Sequence, residues 1–395
     1  MKNLFILSIF CSFAFLACSD DSSGLAPQES SSSIAGSSAE KEIVAVDYSL
    51  GRKMNERLGK GINLGNSWDS KNYSGDIPDE PYNYGYGDPL DDGWSNPIED
   101  GDFKIIKEAG FNSVRIPVRW QLHSDPVAHT VSPERLSGVK EDIALAIQEG
   151  LAVVVDFHWY AELMEAANNF HKNPVEYTTI YENEKTHFFS LWNQISAELN
   201  VFPDSMLVLE ILNEPTMINA DILNDLLLGA YSIIRANAPN KTIMFESNQS
   251  SKFYQLELLK LPQDGNIIYS GHYYEPYTFT HEGHGYSCVG DESYENAANT
   301  DLLKYVTMAQ KFYPDINGSY IPLNMGEFGV SRTSCGEKNP SNKNFLLWNS
   351  KTIKAAEKYG MSWHYWCFTK CGGFESYDRS TNSWIANMTN AFFQE

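Results

Sequence analysis

Residues 206–215 read MLVLEILNEP, a short apolar run that ends in a polar Asn-Glu-Pro triplet. Leucine, isoleucine and valine in such a run are typical of a buried strand. Glu210 lies inside the run and Glu214 at its end, so both side chains would face the same side of a strand. A strand rises about 3.3 Å per residue, which would put the two glutamates about 13 Å apart. We therefore expect Glu214 to reach the functional end, and Glu210 to be a structural carboxylate paired with a donor from a neighbouring strand.

Similar short apolar runs recur along the chain and alternate with helix-like segments. Strands are predicted at 61–65, 113–117, 152–157, 207–212, 242–246, 267–272, 321–328 and 361–366. Helices are predicted, among others, at 134–148, 185–199, 220–236, 301–312 and 344–359. Strands that are apolar on both faces and alternate with helices indicate a parallel sheet covered by helices. Eight repeats favour an α/β fold of the (β/α)8 TIM-barrel type, in a single domain over residues 46–395, rather than an open doubly wound sheet.

The composition excludes several classes of partner. The chain has 395 residues and a formal net charge of −22. So acidic a chain is repelled by nucleic acid and by anionic membrane surfaces, which leaves neutral or cationic partners. No glycine-rich phosphate loop follows the first predicted strand, so a nucleotide-binding fold is not favoured.

The N-terminus has the features of an export signal. Lys2 precedes the apolar run LFILSIFCSFAFLAC, which is too short to span a bilayer as a mature helix. The run ends in Ala-Cys, a pattern similar to a bacterial lipoprotein cleavage site with lipid on Cys18; secretion without lipid is the alternative. The Ser-rich residues 19–45 are predicted to form a flexible tether. We therefore expect an exported protein, at the cell surface or outer membrane or secreted, that meets the membrane only through Cys18.

Polar and aromatic residues gather at or near the predicted strand ends, where TIM barrels carry their sites. They are Asn63, Asn66, Trp68, Arg115, His158, Trp159, Tyr160, Asn213, Glu214, His272, Tyr273, Tyr274, Glu327 and Trp366. Two carboxyl groups across a cleft are what glycoside hydrolysis requires, one protonated and one ionised. Aromatic faces stack on the apolar patches of sugar rings. The set therefore indicates a site for a neutral polysaccharide.

Five segments carry a specific resemblance: GFNSVRIPVRW, VVDFHWYAEL, LEILNEP, GHYYEPYTFTHEG and GEFGV. In this order and spacing they resemble family 5 glycoside hydrolases, above all the cellulase branch with endo-β-1,4-glucanase activity. The resemblance covers residues 61–366. It implies that Glu214 is the general acid/base, that Glu327 is the nucleophile, and that Asn213 holds the sugar 2-hydroxyl. The family retains anomeric configuration, which implies carboxyl groups about 5–5.5 Å apart.

The resemblance also implies roles around this pair. Arg115 and Tyr274 would hydrogen-bond the nucleophile and keep it ionised. His158 and His272 would line the subsite of the cleaved sugar and the acid/base, and Trp366 would be a stacking platform.

Three further residues are expected to contact substrate. Asn63 and Trp68 follow the first predicted strand, with packing inside the loop as their alternative role. Trp159 stands where this branch often has a second histidine, so it would either extend the stacking surface or pack beneath the loop.

Four cysteines remain once the leader is set aside: Cys288, Cys335, Cys367 and Cys371. An exported chain with four cysteines indicates two disulfides, for which three pairings exist. Because Cys288 and Cys335 follow neighbouring strands and the other two share a loop, we expect the pairs 288–335 and 367–371.

Several functions compete. The leading hypothesis is a retaining endo-β-1,4-glucanase that acts as a monomer without cofactor or metal. A β-mannanase or a xyloglucanase could use the same scaffold and residues, and a non-catalytic glycan-binding lipoprotein is a further alternative. A metal-dependent hydrolase would use His272, His281 and His284, but no carboxylate or cysteine joins them at a standard zinc spacing.

Overall fold

We analysed a computed structural model, which describes residues 43–70, 96–288, 296–332, 335–336 and 341–393. Three parts of the sequence discussed above lie outside these residues: the predicted leader with Cys18, nearly all of the tether, and residues 71–95 of the loop after the first strand.

Eight parallel strands form a closed barrel. They are β1 Lys60–Asn63, β2 Ser113–Ile116, β3 Ala152–Asp156, β4 Leu207–Glu210, β5 Thr242–Glu246, β6 Ile267–His272, β7 Leu323–Phe328 and β8 Ser362–Tyr365. Each strand pairs with its neighbours in the chain, and β8 closes onto β1. Each overlaps one of the predicted strands, and the (β/α)8 TIM barrel is confirmed.

The longer helices surround the barrel or close its ends. They are α1 Ser49–Leu58, α2 Asp102–Ala109, α3 Pro133–Gln148, α4 Ala161–Lys172, α5 Pro174–Leu199, α6 Ala220–Asn237, α7 Ala298–Phe312, α8 Asn342–Lys358 and α9 Met388–Phe393. Shorter helical turns span Trp120–His123, Asn248–Ser251, Phe253–Leu258, Tyr277–Thr280 and Ile385–Asn387. Two small hairpins pair Ser124–Asp125 with Thr130–Val131, and Tyr377–Asp378 with Ser383–Trp384. Among the described residues, no helix combines the length and apolar character needed to cross a bilayer.

The barrel interior changes from apolar to charged along the strands. At the amino ends, Met54 and Leu58 of α1 pack with Ala152, Val154, Val208, Met244 and Ile268 in one buried cluster. Two residues further along three of these strands stand Asp156, Glu210 and Glu246, each fully buried. Because strand side chains alternate, these carboxylates lie on the same inner face as the apolar layer below them. The fold thus places buried charge just beneath the carboxyl-end mouth.

Disulfides connect the loops at this mouth. The structure bonds Cys288, after β6, to Cys335, after β7, and bonds Cys367 to Cys371 in the loop after β8. These are the two pairs expected from the sequence.

Candidate active site

A cavity of about 240 Å³ opens at the carboxyl ends of the strands. Its lining residues are Arg119, His158, Trp159, Asn213, Glu214, Tyr274, Tyr277, His281, Glu327, Trp366 and Phe374. Seven of the predicted site residues are among them. A larger cavity, of about 460 Å³, lies beside α1 and the start of β5 and holds none of the predicted residues.

Glu327, near the end of β7, receives two donors in this cavity. Arg115 Nη1 donates to its Oε1 at 2.9 Å, and the Tyr274 hydroxyl donates to its Oε2 at 3.1 Å. Burial raises the pKa of Glu327 above its ordinary value, although the charges of His272 and Arg115 oppose that rise. Both donors stabilise the ionised form, so this carboxylate is fixed with its two oxygens in defined directions.

Glu214 stands in a turn beyond β4 rather than in the strand. Its φ is 48°, a left-handed conformation that is uncommon outside glycine. Its backbone N–H donates to Glu246 Oε2 at 2.7 Å, and its Oε1 lies 2.8 Å from His272 Nδ1. Burial acts to raise the pKa of Glu214, but the hydrogen bond from His272 and the charge of that ring outweigh it and lower the pKa.

The two carboxylates face each other across His272. One carboxylate oxygen of Glu214, one of Glu327 and one ring nitrogen of His272 lie within 4.8 Å of one another. The surrounding carboxylates, Glu327 and Glu246 above all, raise the pKa of His272 well above its ordinary value, although burial acts against it. A charged His272 therefore neutralises part of this cluster.

Arg115 organises the layer beneath the cavity. Its Nε and Nη2 donate to the two oxygens of Glu210 at 2.8 and 3.0 Å. Glu210 thus has the donor that we expected, but the donor comes from β2, which β3 separates from β4, and not from a neighbouring strand. Arg115 Nη2 also lies 2.6 Å from Asp156 Oδ2 and donates to Asn213 Oδ1 at 2.6 Å. One guanidinium thus connects the structural carboxylates to the residues that line the cavity.

Glu210 and Glu214 are not joined by regular strand, contrary to the simple extrapolation from the sequence. Strand β4 ends at Glu210, and the left-handed Glu214 belongs to the following turn. A separation computed from strand rise therefore does not apply to this pair.

His158 and Trp366 form one wall of the cavity. Their rings stack with centroids 5.9 Å apart and an interplanar angle of 5°. His158 Nδ1 lies 3.0 Å from Asp156 Oδ2, and this carboxylate raises the pKa of His158 although burial acts to lower it. Trp159 lines the same cavity with a φ of 51°.

Four of the predicted site residues do not line the cavity. Asn63 is fully buried, and its amide bonds Arg115 and the backbone of β7 and β8, so it supports the barrel. Arg115 and His272 are buried beneath the cavity rather than exposed to it. Trp68 lines a separate cavity of about 210 Å³ against α3, where its Nε1 donates to Asp142 Oδ2 at 2.6 Å.

The sequence reasoning missed Glu246 and Asp156. Each is the last residue of its strand, β5 and β3, and each lies fully buried in the charged layer. The rule that strand-end polar residues form the site would have found Glu246 from the sequence, and Asp156 only once the true end of β3 was known. The predicted strand 242–246 already ended at Glu246. The predicted strand 152–157 ended one residue too late, at Phe157, so Asp156 did not stand at its end.

The histidines proposed for a metal do not come together. His281 stacks on Tyr277 with centroids 4.2 Å apart, and His284 Nε2 lies 3.1 Å from the Ser331 hydroxyl. Within the described residues, the ligand-like groups of three are Glu210 with Glu246 and His272, and Glu214 with His272 and Glu327. In both groups His272 lies between carboxylates, with Glu214 at its Nδ1 and Glu246 at its Nε2.

Comparisons with known proteins match this chain to cellulases. The family model for cellulase (glycosyl hydrolase family 5) matches residues 76–372. The chain is 25% identical to Endoglucanase H of Acetivibrio thermocellus over 86% of this chain and 33% of that protein. It is 26% identical to Endoglucanase A of Clostridium longisporum over 82% of this chain and 60% of that protein. The chain thus spans about a third to three fifths of the length of these relatives.

Solved structures share the fold. The chain matches Thermotoga maritima Cel5A in complex with cellobiose, with a TM-score of 0.69 and 30% identity, over 87% of this chain and all of that one. The same protein in complex with mannotriose matches with a TM-score of 0.69 and 29% identity, over the same shares.

Proposed function

Since the chain belongs to the cellulase family, glycosyl hydrolase family 5, we propose that it is a retaining endo-β-1,4-glucanase that cleaves internal bonds of cellulose or a related β-glucan. The observation that carries this proposal is the facing pair Glu214 and Glu327 in one open cavity, with different partners on each. Oxygens within 4.8 Å of each other fit carboxyl groups spaced for double displacement.

Glu327 is the nucleophile in this proposal. It is the carboxylate that Arg115 and Tyr274 hold by both oxygens, so one oxygen can be aimed at the anomeric carbon without free rotation. Attack forms a glycosyl–enzyme ester bond and breaks the bond to the leaving oxygen. Water then cleaves the ester and restores Glu327.

Glu214 is the general acid/base. Its side chain is 21% exposed, and the hydrogen bond from His272 favours the ionised form. A sugar ring laid over the cavity removes this remaining exposure, which raises the carboxyl pKa and favours the protonated form needed to release the leaving group. Once that proton has left with the leaving oxygen, His272 stabilises the carboxylate that must activate water.

Asn213 is oriented to meet the sugar 2-hydroxyl. Arginine can only donate, so the contact from Arg115 fixes Oδ1 as the acceptor and leaves Nδ2 as a donor. Because Asn213 lines the cavity, that donor is available to a sugar hydroxyl. The stacked Trp366 offers an aromatic face beside it for a sugar ring.

A second candidate activity is β-mannan hydrolysis. A related structure, Thermotoga maritima Cel5A, is described in complex with mannotriose as well as with cellobiose. The same carboxylate pair would serve either substrate, since the choice depends on contacts to the 2-hydroxyl. A xyloglucan substrate requires room for branches along the rim, and a non-catalytic glycan-binding protein would make no use of the paired carboxylates.

The test is activity on carboxymethylcellulose, barley β-glucan, xyloglucan and glucomannan, with two isosteric variants. Glu327→Gln is expected to abolish turnover while binding persists, and Glu214→Gln to lose activity on unactivated substrates. Proton NMR of the first product should show retained configuration. Unchanged hydrolysis by Glu327→Gln, or an inverted product, would contradict the mechanism; preferential cleavage of glucomannan would favour the mannanase.

Export and anchoring are proposed on independent grounds. Two disulfides fit an oxidising compartment. We propose cleavage before Cys18, lipid on that cysteine, residues 19–45 as the tether, and a monomeric catalytic domain over residues 46–395. Mass spectrometry of the mature N-terminus tests lipidation, with Cys18→Ala as the control that should appear in the soluble fraction.

A further inference from the structure

Glu246 contacts both the main chain and the side-chain partner of Glu214 without reaching the cavity. It is fully buried at the end of β5. Its Oε2 accepts the backbone N–H of Glu214 at 2.7 Å, and its Oε1 lies 2.9 Å from His272 Nε2. His272 reaches Glu214 through its other nitrogen, at 2.8 Å. The three residues therefore form a closed loop of contacts, and Glu246 is its buried base.

The segment after β5 holds this base in place. The Ser251 hydroxyl donates to Glu246 Oε2, and the Ser250 N–H donates to the carbonyl of Pro215, which follows Glu214. Gln249, Ser250 and Ser251 all have φ values between 56° and 58°. A left-handed conformation in a non-glycine residue is unfavourable, and it persists only where surrounding contacts impose it. Three in succession, bonded both to Glu246 and to the turn of Glu214, indicate a segment shaped to fix this part of the site.

We propose that Glu246 is a positioning residue for acid/base catalysis, which fixes Glu214 through its backbone N–H and through His272. This inference rests on the proposed function, because Glu214 must be the acid/base for it to hold. Glu246 does not touch the sugar in this scheme. Its negative charge keeps His272 oriented toward Glu214, and its accepted hydrogen bond holds the turn in the left-handed conformation that aims the carboxyl group.

The inference predicts a dependence on the leaving group. A natural β-glucan has a poor leaving group that needs a proton from Glu214, whereas 2,4-dinitrophenolate leaves without one. A residue that acts only through Glu214 should therefore matter for the first substrate and little for the second. A residue that merely stabilises the fold should affect both substrates in the same proportion.

The experiment compares kcat/KM of Glu246→Gln on cellotetraose and on 2,4-dinitrophenyl β-cellobioside. General acid catalysis contributes about 10²–10⁴-fold, so we expect a loss of about 30-fold or more on cellotetraose and less than about threefold on the activated substrate. Glu184→Gln is the matched control: another buried glutamate, but on α5, where it accepts the Tyr160 hydroxyl at 2.6 Å. In this control, the fold-loss of kcat/KM on cellotetraose and that on the activated substrate should agree within about threefold.

An equal loss of both activities in Glu246→Gln, or no loss on cellotetraose, would overturn the inference and leave the proposed function standing. If the wild-type protein cleaves neither compound, the proposed function itself fails. If Glu246→Gln does not fold, Ser251→Ala removes one hydrogen bond to Glu246 and keeps its charge. Ser251→Ala should also lose more kcat/KM on cellotetraose than on the activated substrate, by a smaller factor. The same loss on both substrates, or no loss on cellotetraose, would overturn the inference.

Discussion

Replacing Tyr274 by phenylalanine should move the pH profile without disturbing the fold. The Tyr274 hydroxyl is the second donor to Glu327, at 3.1 Å, and both residues are at least 94% buried. A hydrogen bond to a charged group is worth about 1.5–3 kcal/mol. Arg115 still donates to the other oxygen at 2.9 Å, so the lower end of that range applies.

The sign follows from which form the hydroxyl stabilises. The donor favours ionised Glu327, so its removal adds to the burial that already raises the pKa of this carboxyl group. The acidic limb of kcat/KM reports protonation of the nucleophile in the free enzyme. It should therefore move to higher pH by about one pH unit, since 1.36 kcal/mol corresponds to one unit.

The assay is kcat/KM on a soluble β-glucan between pH 4 and pH 9, measured for the wild type and the variant. Tyr273→Phe is the matched control, because the Tyr273 hydroxyl donates to Asp301 at the same distance of 3.1 Å, away from the cavity. It should leave the limb in place. A limb that stays fixed in Tyr274→Phe, or moves to lower pH, would refute the assignment of Glu327 as the residue that must be ionised.

Three further substitutions separate structural roles from substrate roles. Glu210→Gln weakens a bidentate pair with Arg115, so we expect the free energy of unfolding, measured by urea denaturation, to fall by about 2 kcal/mol while kcat falls less than tenfold. A large loss of kcat with unchanged stability would mean that Glu210 takes part in the chemistry. Trp366→Ala removes the aromatic wall, so KM for soluble β-glucan should rise about tenfold or more with the fold intact, and an unchanged KM would exclude stacking at this position. Trp68→Ala, in the separate cavity beside Asp142, should lower stability by about 2–3 kcal/mol and leave KM within about twofold, which a large rise in KM would contradict.

Much of the architecture is readable from the sequence because it depends on local periodicity. Short apolar runs that alternate with helical segments specify a parallel barrel, and the eight predicted strands all overlap observed ones. The carboxyl ends of barrel strands converge at one mouth, so polar residues at run ends lie near one another whatever the loops do. This is why His158, Asn213, Glu214, Tyr274, Glu327 and Trp366 were predicted together and line one cavity.

Helix boundaries were less well predicted. Helix α5 begins at Pro174, eleven residues before the predicted helix at 185–199, and α4 was not among the helices we named. The first residues of α5 are exposed to solvent and its buried face begins only at Tyr181, so the apolar stripe starts later than the helix itself. In α4 the buried residues begin in the first turn, at Leu163, and the prediction did not name this helix.

By itself, then, the sequence determined the barrel, the positions of its eight strands to within two residues, the two glutamates at its mouth and the cysteine pairs. Only the tertiary structure decided how Arg115 is shared among Glu210, Asp156 and Glu327, and that Glu246 accepts the backbone N–H of Glu214. It also removed Asn63 and Trp68 from the cavity. The physical reason is that periodicity fixes which face a side chain takes, whereas its partner depends on the stagger between strands and on turns such as the left-handed one at Glu214. The stagger and the turn conformations are set only when the barrel closes.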